Sequence, residues 1–234
     1  MSKAQLSLSG NRLLDSLSLE EYEQLSEHLE PVSLSLSQVL FRPEERIRHA
    51  YFPTTSIVSL LTELQDGSGM EVGLVGRDGV VGISAVLGGE ETKVATCQAE
   101  GKAFKIDATL LQEEFRRGRL LQRALLRYTH ALMTQISQSV VCNARHNVEG
   151  RLARWLLMYH DRLDTDDFEM THEFMANMLG VRRPGVSEIA NSLQERGLIR
   201  YQRGHITILD RAGLEALVCE CYAIVKEKFE SFLL

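Results

Sequence analysis

Five arginines, Arg182, Arg183, Arg196, Arg200 and Arg203, crowd into one short stretch and are opposed there only by Glu188 and Glu195. A guanidinium is permanently charged and presents paired planar donors, which match phosphate oxygens and the O6/N7 edge of guanine. The same stretch holds Asn191, whose amide can pair with an adenine edge, and Glu188, which can accept from cytosine. This is chemistry for recognising a polyanion. The chain has no nucleophile elbow, Walker loop, metal triad or motif of paired carboxylates, so no catalytic residue is assigned and an enzyme is not expected.

Those side chains can meet a duplex together only if rigid elements hold them on one face, and Met170 to Gly197 reads as such a device. Thr171 suits an N-cap, Phe174, Met175, Met178 and Leu179 bury one side of a two-turn helix, and Gly180 supplies a sharp turn. Pro184 fits the first turn of a second helix, where the N–H it lacks has no partner to lose. Val186, Ile189, Ala190 and Leu193 follow at i, i+3, i+4 and i+7 as one buried stripe. The opposite face shows Glu188, Asn191 and Glu195, with Arg182 and Arg183 at the N-terminal end and Gly197 as the stop. Leu198–Tyr201 and His205–Leu209 then form two strands around Gln202-Arg203-Gly204, a wing. Arg183, Glu188 and Asn191 are the expected base readers, and Arg182, Ser187 and Arg203 the expected phosphate contacts. The alternative is a ligand-binding or protein-interaction module that uses its winged helix for protein contacts; salt-dependent DNA binding separates the two.

The remaining sequence must carry and control that device. At 234 residues, with 44% apolar and 25% charged positions, the chain suits two compact units and a connector. Ser18-Leu19-Glu20-Glu21 reads as a capping box opening a helix to about Leu29, ended by Pro31. From Val32 to Ile106 short runs such as Ser56–Leu61 and Lys102–Ile106 alternate with turns at Arg42-Pro43-Glu44-Glu45, Asp66-Gly67-Ser68-Gly69, Arg77-Asp78-Gly79 and Gly88-Gly89, as in a sandwich or barrel. Leu120 to Asn143 reads as one long helix striped by Leu121, Leu125, Tyr128, Leu132, Ile136 and Val140. The stripe is open to two uses, packing on its own β unit or forming a dimer seam; the seam is the expectation adopted, with Leu126 and Met133 as a second apolar edge. Asn147 caps a further helix with Val148, Leu152, Trp155, Leu156 and Tyr159 inward and Arg151, Arg154 and Arg162 on other faces. Gly213 to Leu234 reads as a final helix.

A net charge of −6 makes the basic stretch a local feature of an acidic protein, which disfavours indiscriminate sticking to nucleic acid. Cys97, Cys142, Cys219 and Cys221 lack CxxC spacing, and Cys219 and Cys221 two apart on a helix point to different faces. Neither a zinc knuckle nor a disulfide framework is expected, and Cys97 and Cys142 are either redox sensors, if exposed and activated, or inert buried thiols, the commoner state and the reading adopted. The seven histidines, His28, His49, His130, His146, His160, His172 and His205, show no metal-ligand spacing. Met1 to Gln5 lacks a signal-peptide core and no apolar run is long enough to cross a bilayer, so a cytoplasmic location without membrane contact is expected.

The segment from about Asn147 to Asp210, entered by Val148-Glu149-Gly150-Arg151-Leu152-Ala153, resembles the C-terminal DNA-binding domain of the Crp/Fnr family of bacterial regulators. The order of β-rich region, long helix and winged helix extends the resemblance over nearly the whole chain. It implies an α+β fold: a cyclic-nucleotide-binding-like antiparallel β-roll of jelly-roll type at 1–118, a dimerisation helix and hinge at 119–145, and a winged helix-turn-helix with a C-terminal helix at 146–234. It also implies a homodimer on a pseudo-palindromic operator, RNA polymerase as a further partner, and a small-molecule effector. The family's recognition arginine falls on Arg183, while its following glutamate is replaced by Pro184 and a second arginine by Glu188, so the DNA target differs. In the nucleotide cassette the matching loop is Gly79-Val80-Val81-Gly82, with Val80 in place of the ribose-binding glutamate, and the phosphate arginine falls near Glu91-Thr92 or Thr92-Lys93. On the long helix Ile136 replaces an adenine-binding hydroxyl. These departures argue against cyclic AMP, and no cysteine precedes Cys97 to build the family's usual N-terminal iron–sulfur site. The effector is expected in a pocket at Gly79, Val80, Val81, Gly82 and Thr92, with no resident cofactor or metal.

Overall fold

The computed structural model of the protein describes residues 9–65 and 69–231. Met1 to Gln5 and the Asp66-Gly67-Ser68 part of the expected turn lie outside the described residues. In chain order the first half comprises α1 (Arg12–Asp15), α2 (Leu19–Ser26), β1 (Glu30–Leu34), β2 (Val39–Phe41), β3 (His49–Pro53), β4 (Ile57–Glu63), β5 (Gly69–Val75), α3 (Ser84–Leu87), β6 (Val94–Ala99), β7 (Gly101–Asp107), α4 (Ala108–Arg116) and α5 (Leu120–Arg145). The second half comprises α6 (Val148–His160), β8 (Asp167–Glu169), α7 (His172–Leu179), α8 (Arg183–Glu195), β9 (Ile199–Gln202), β10 (His205–Ile208), α9 (Arg211–Glu215) and α10 (Glu220–Ser231).

The first seven strands form two sheets, β1-β7-β3 and β2-β6-β4-β5, with every pairing antiparallel. Phe41, Phe52, Ile57, Val58, Leu74, Ala95 and Ile106 are buried in the core of this roll. Ser18 caps α2 by accepting from the Glu21 N–H at 3.2 Å. The Glu21 carboxylate does not reach back as a capping box requires. It accepts instead from the Leu120 and Leu121 N–H groups at 3.0 and 3.2 Å, capping α5, whose own N-cap residue Arg119 provides no side-chain bond.

The adopted use of the α5 stripe is corrected by the packing. Leu121, Leu125, Tyr128 and Leu132 are buried within the chain, Ile136 is half-buried, and Val140 alone of the six is exposed. Glycines explain the close fit: a Cβ at Gly79 would stand 2.4 Å from the Tyr128 ring, and one at Gly73 would stand 3.3 Å from Leu132 Cδ1. Those side chains therefore cannot form a seam with another molecule. The exposed apolar positions of α5 include Leu126, Met133 and Val140, at 48%, 61% and 63% exposure and spaced by sevens, besides Leu120 and Val141.

The last expected helix also divides. α9 ends at Glu215 and α10 starts at Glu220, with Cys219 in the bend between them. The Asp210 carboxylate caps α9 through the Gly213 N–H at 2.9 Å.

Candidate nucleic-acid interface

Thr171 Oγ1 accepts from the Phe174 N–H at 3.1 Å and so starts α7, and Gly180, at φ +62°, ends it in the left-handed region. Pro184 lies in the first turn of α8, while Val186, Ala190 and Leu193 are buried beneath it and Ile189 is half-buried. The other face is open, with Arg182, Arg183, Glu188 and Asn191 all exposed. The positive end of the α8 dipole adds to the two guanidiniums and favours an anion there. Between β9 and β10, Arg203 and Gly204 both have positive φ, at 51° and 84°, and the paired residues Gln202 and His205 flank them as in a two-residue type I′ hairpin. Arg203 is exposed at the tip, and β8 joins β10 to make the wing three-stranded. Arg196 is drawn off to Glu149 at 2.9 Å.

Ser187 does not fit its expected role. Its hydroxyl donates to the Arg183 carbonyl at 3.2 Å and lies 2.9 Å from His172 Nδ1, so its one proton is committed inside the domain. His172 in turn stacks on Tyr201 with centroids 4.1 Å apart. Burial, and then the nearby Arg183 charge, hold its pKa below the usual histidine range, so the neutral ring acts as a strut between α7, α8 and the wing. Nothing in the local sequence marks His172, because its partners lie 15 and 29 positions away.

The family profile described as the Crp-like helix-turn-helix domain matches residues 150–217, which hold all of these elements. The chain is similar to Crp/Fnr-family transcription regulators over most of its length. Its relatives include the nitrogen fixation regulation protein FixK of Bradyrhizobium diazoefficiens, 25% identical over 224 residues and aligned over 87% of each chain. Another is the transcriptional regulatory protein Btr of Bordetella pertussis, 25% identical over 218 residues and 85% of each chain. Among solved structures, FixK2 of Bradyrhizobium japonicum superposes with a TM-score of 0.71 at 17% identity, over 82% of this chain and 98% of its own. A Crp/Fnr-family regulator from Eubacterium rectale gives 0.67 at 17% identity, over 88% and 96%. Both share the fold of this chain over those spans.

In this chain the β-roll and the helix-turn-helix unit are joined by buried polar contacts that the sequence reading missed. Arg151, Arg154 and Arg162, expected on other faces of their helix than the buried stripe, are all buried. Arg162 meets Asp78 through Nη2 at 2.8 Å and Nε at 3.1 Å, and its Nη1 donates to the Met158 carbonyl. Gly76 makes room for that arginine, since a Cβ there would stand 2.8 Å from its side chain. Arg151 donates to Asn143 Oδ1 and to the Leu179 carbonyl, tying the hinge to the end of α7. Glu71 on β5 accepts from Ser59 Oγ at 2.5 Å and from Trp155 Nε1 at 2.7 Å. Burial raises the Glu71 pKa to about 7.

The expected effector loop is packed at its centre. Val80 and Val81 are buried, Val81 exchanges backbone bonds with Tyr51 at 3.0 and 2.8 Å, and Tyr128 covers Gly79. Gly82 has φ +91° and Thr92 is exposed. At the expected phosphate-arginine position Glu91 is buried, and its carboxylate accepts from Ser84 Oγ, the Thr92 and Lys93 N–H groups, and Lys93 Nζ. A carboxylate of the chain thus fills an anion site of the kind a phosphate would use. Open space of about 730 Å³ lies instead between the β2-β6-β4-β5 sheet and α7, lined by Leu61, Gln98, Phe174 and Met178 among others.

Proposed function

We propose that the regulator acts in the cytoplasm as a homodimer on a pseudo-palindromic operator, with one α8 in the major groove of each half-site. The observation that carries this reading is the outward face of α8: Arg182, Arg183, Glu188 and Asn191 are exposed, and Arg203 stands at the tip of the adjoining wing. Arg183 donates to guanine O6/N7, Glu188 or Asn191 reads the neighbouring base, and Arg182 and Arg203 hold phosphates. Pairing of two chains is supported by Leu126, Met133 and Val140, whose seven-residue spacing along α5 suits a helix-to-helix seam. RNA polymerase is the further partner.

The effector is a small molecule other than cyclic AMP. Supporting this are the packed Gly79–Gly82 loop and Glu91, which supplies its own negative charge where the cyclic phosphate would have to sit. A cyclic nucleotide there would place like charges together in a partly buried site.

Binding-site selection from a random duplex pool tests the operator reading. The wild-type protein should enrich a two-fold symmetric site, and Arg183→Ala should relax preference at one base pair per half-site, a loss of about 1–3 kcal/mol. Arg203→Ala should weaken all sequences alike and reduce the salt slope by about one. Identical selected sequences for Arg183→Ala and wild type would refute the assignment of Arg183.

A further inference from the structure

Four side chains spread over the second half of the chain meet where α5 ends. Cys142 lies on the last turn of α5, His146 caps it, Cys219 sits in the bend before α10, and Cys221 is on the first turn of α10. Each offers one ligand atom, and those atoms all lie within 4.8 Å of one another. Cys142 Sγ is 3.6 Å from Cys219 Sγ, across 77 positions of sequence, and Cys221 Sγ is 3.7 Å from His146 Nδ1. Tetrahedral zinc, with bonds of about 2.3 Å to sulfur and 2.0 Å to nitrogen, places its ligand atoms about 3.5–3.8 Å apart. An iron–sulfur cluster, which interposes several atoms between its thiolates, needs a wider set.

We propose that Cys142, His146, Cys219 and Cys221 form a Cys3His site for one zinc-like divalent ion, which staples α10 to the hinge at the end of α5. The sequence hid the site because Cys219 and Cys221 diverge on a continuous helix, whereas the bend before α10 turns Cys219 back toward Cys142.

Two neighbours fit a metal centre. The Glu220 carboxylate lies 3.7 Å from His146 Nε2, which orients the ring so that Nδ1 faces the thiols, the outer-shell arrangement common to metal-bound histidines. Arg154 is a buried cation whose Nε has no hydrogen-bond partner among the described residues, and its Nη atoms reach Ser139 Oγ and Met158 Sδ at 3.5 Å. Its charge acts on Cys142. Three thiolates and one dication leave the site with a single negative charge, which that guanidinium can balance.

A free cysteine thiol is mostly protonated near neutral pH. Metal binding displaces the protons: one dication and three thiols give a metal tris-thiolate and three released protons, with no electron transferred.

The test uses the full chain, prepared reduced and metal-free, with zinc(II) and cobalt(II) as probes. One equivalent of zinc per chain should bind, compete with a chromophoric chelator, release about three protons and raise the unfolding temperature. Cobalt should show thiolate charge transfer and the strong visible bands of a tetrahedral site. Cys219→Ser and His146→Asn should each weaken binding at least tenfold, while Cys97→Ser, remote in β6, should leave it unchanged. The cobalt spectrum of the unaltered chain decides the matter even if a cysteine variant folds poorly. Substoichiometric binding, a pale octahedral cobalt spectrum, affinity indifferent to both ligand variants, or a Cys142–Cys219 disulfide persisting in the reduced protein would each overturn the proposal.

Discussion

Replacing Glu71 by Gln should make the protein more stable, by an amount that grows with pH. The Glu71 side chain is 8% exposed, and burial raises its pKa from 4.5 to about 7 against the opposing effects of the Ser59 and Trp155 hydrogen bonds and the Arg154 and Arg162 charges. The folded state therefore holds a proton that the unfolded chain has already lost. That contribution is fully present below pH 4.5 and fades as pH rises through 7; the loss approaches 1.36 × 2.5, about 3 kcal/mol, near pH 8. A glutamine keeps both bonds, its carbonyl accepting from Trp155 Nε1 and its amide donating to Ser59 Oγ, without the charge. Urea unfolding at pH 5, 6, 7 and 8, at one protein concentration and followed by the fluorescence of Trp155, the single tryptophan, measures the effect. The variant-minus-wild-type difference removes every other titration and should rise from about 1 kcal/mol at pH 5 to about 3 kcal/mol at pH 8. A difference flat across this range, or a variant less stable at pH 8, would refute the argument.

Arg162→Met leaves Asp78 buried without its cation and should cost about 3–5 kcal/mol in denaturant unfolding; adding Asp78→Asn should recover a large part of that loss. Met133→Glu should convert dimer to monomer in sedimentation, while Leu125→Ala, at a buried position of the same helix, should lower stability by about 2–5 kcal/mol and leave association at native conditions intact. Calorimetric titration with cyclic AMP should give no saturable heat, and a micromolar one-site isotherm would restore the nucleotide reading of the front unit.

Legibility followed the range of the physics. The helix-turn-helix was readable because its determinants are local: the Thr171 cap, the Gly180 turn, the Pro184 start and the stripe from Val186 to Leu193 act within a few residues of one another. The strands of the roll were readable as runs and turns, but their sheet order follows from pairings such as β1 with β7, about 70 positions apart, which no local pattern encodes. The α5 stripe had the correct period and the wrong partner. Periodicity shows that a face is covered without showing by what, and the missing side chains of Gly73 and Gly79 selected the chain's own roll. The partners of Arg162 and Glu21 and the clustering of Cys142, His146, Cys219 and Cys221 were missed for the same reason: each depends on groups brought close by the tertiary fold.

The chemistry of the junction bears on how the recognition helices could be repositioned. Had the roll and the DNA-binding unit met through leucines alone, separating them would expose apolar area with no return. They meet partly through Glu71, Asp78 and Arg162, alongside the Trp155–Tyr159 stack and an apolar core that both units share, and each charged group regains hydration when the units part. The free-energy gap between docked and parted arrangements is therefore smaller than the number of contacts implies, and a ligand with a modest preference for one arrangement can shift the balance. The 730 Å³ space between the sheet and α7 is where such a ligand would touch both units, because Leu61 and Gln98 belong to one and Phe174 and Met178 to the other. A metal staple at the far side of the hinge would act in the opposite sense: by fixing α10 to the end of α5 it narrows the range of motion, so that a shift at the junction becomes a defined rotation of α8 and not a loosening of the whole unit.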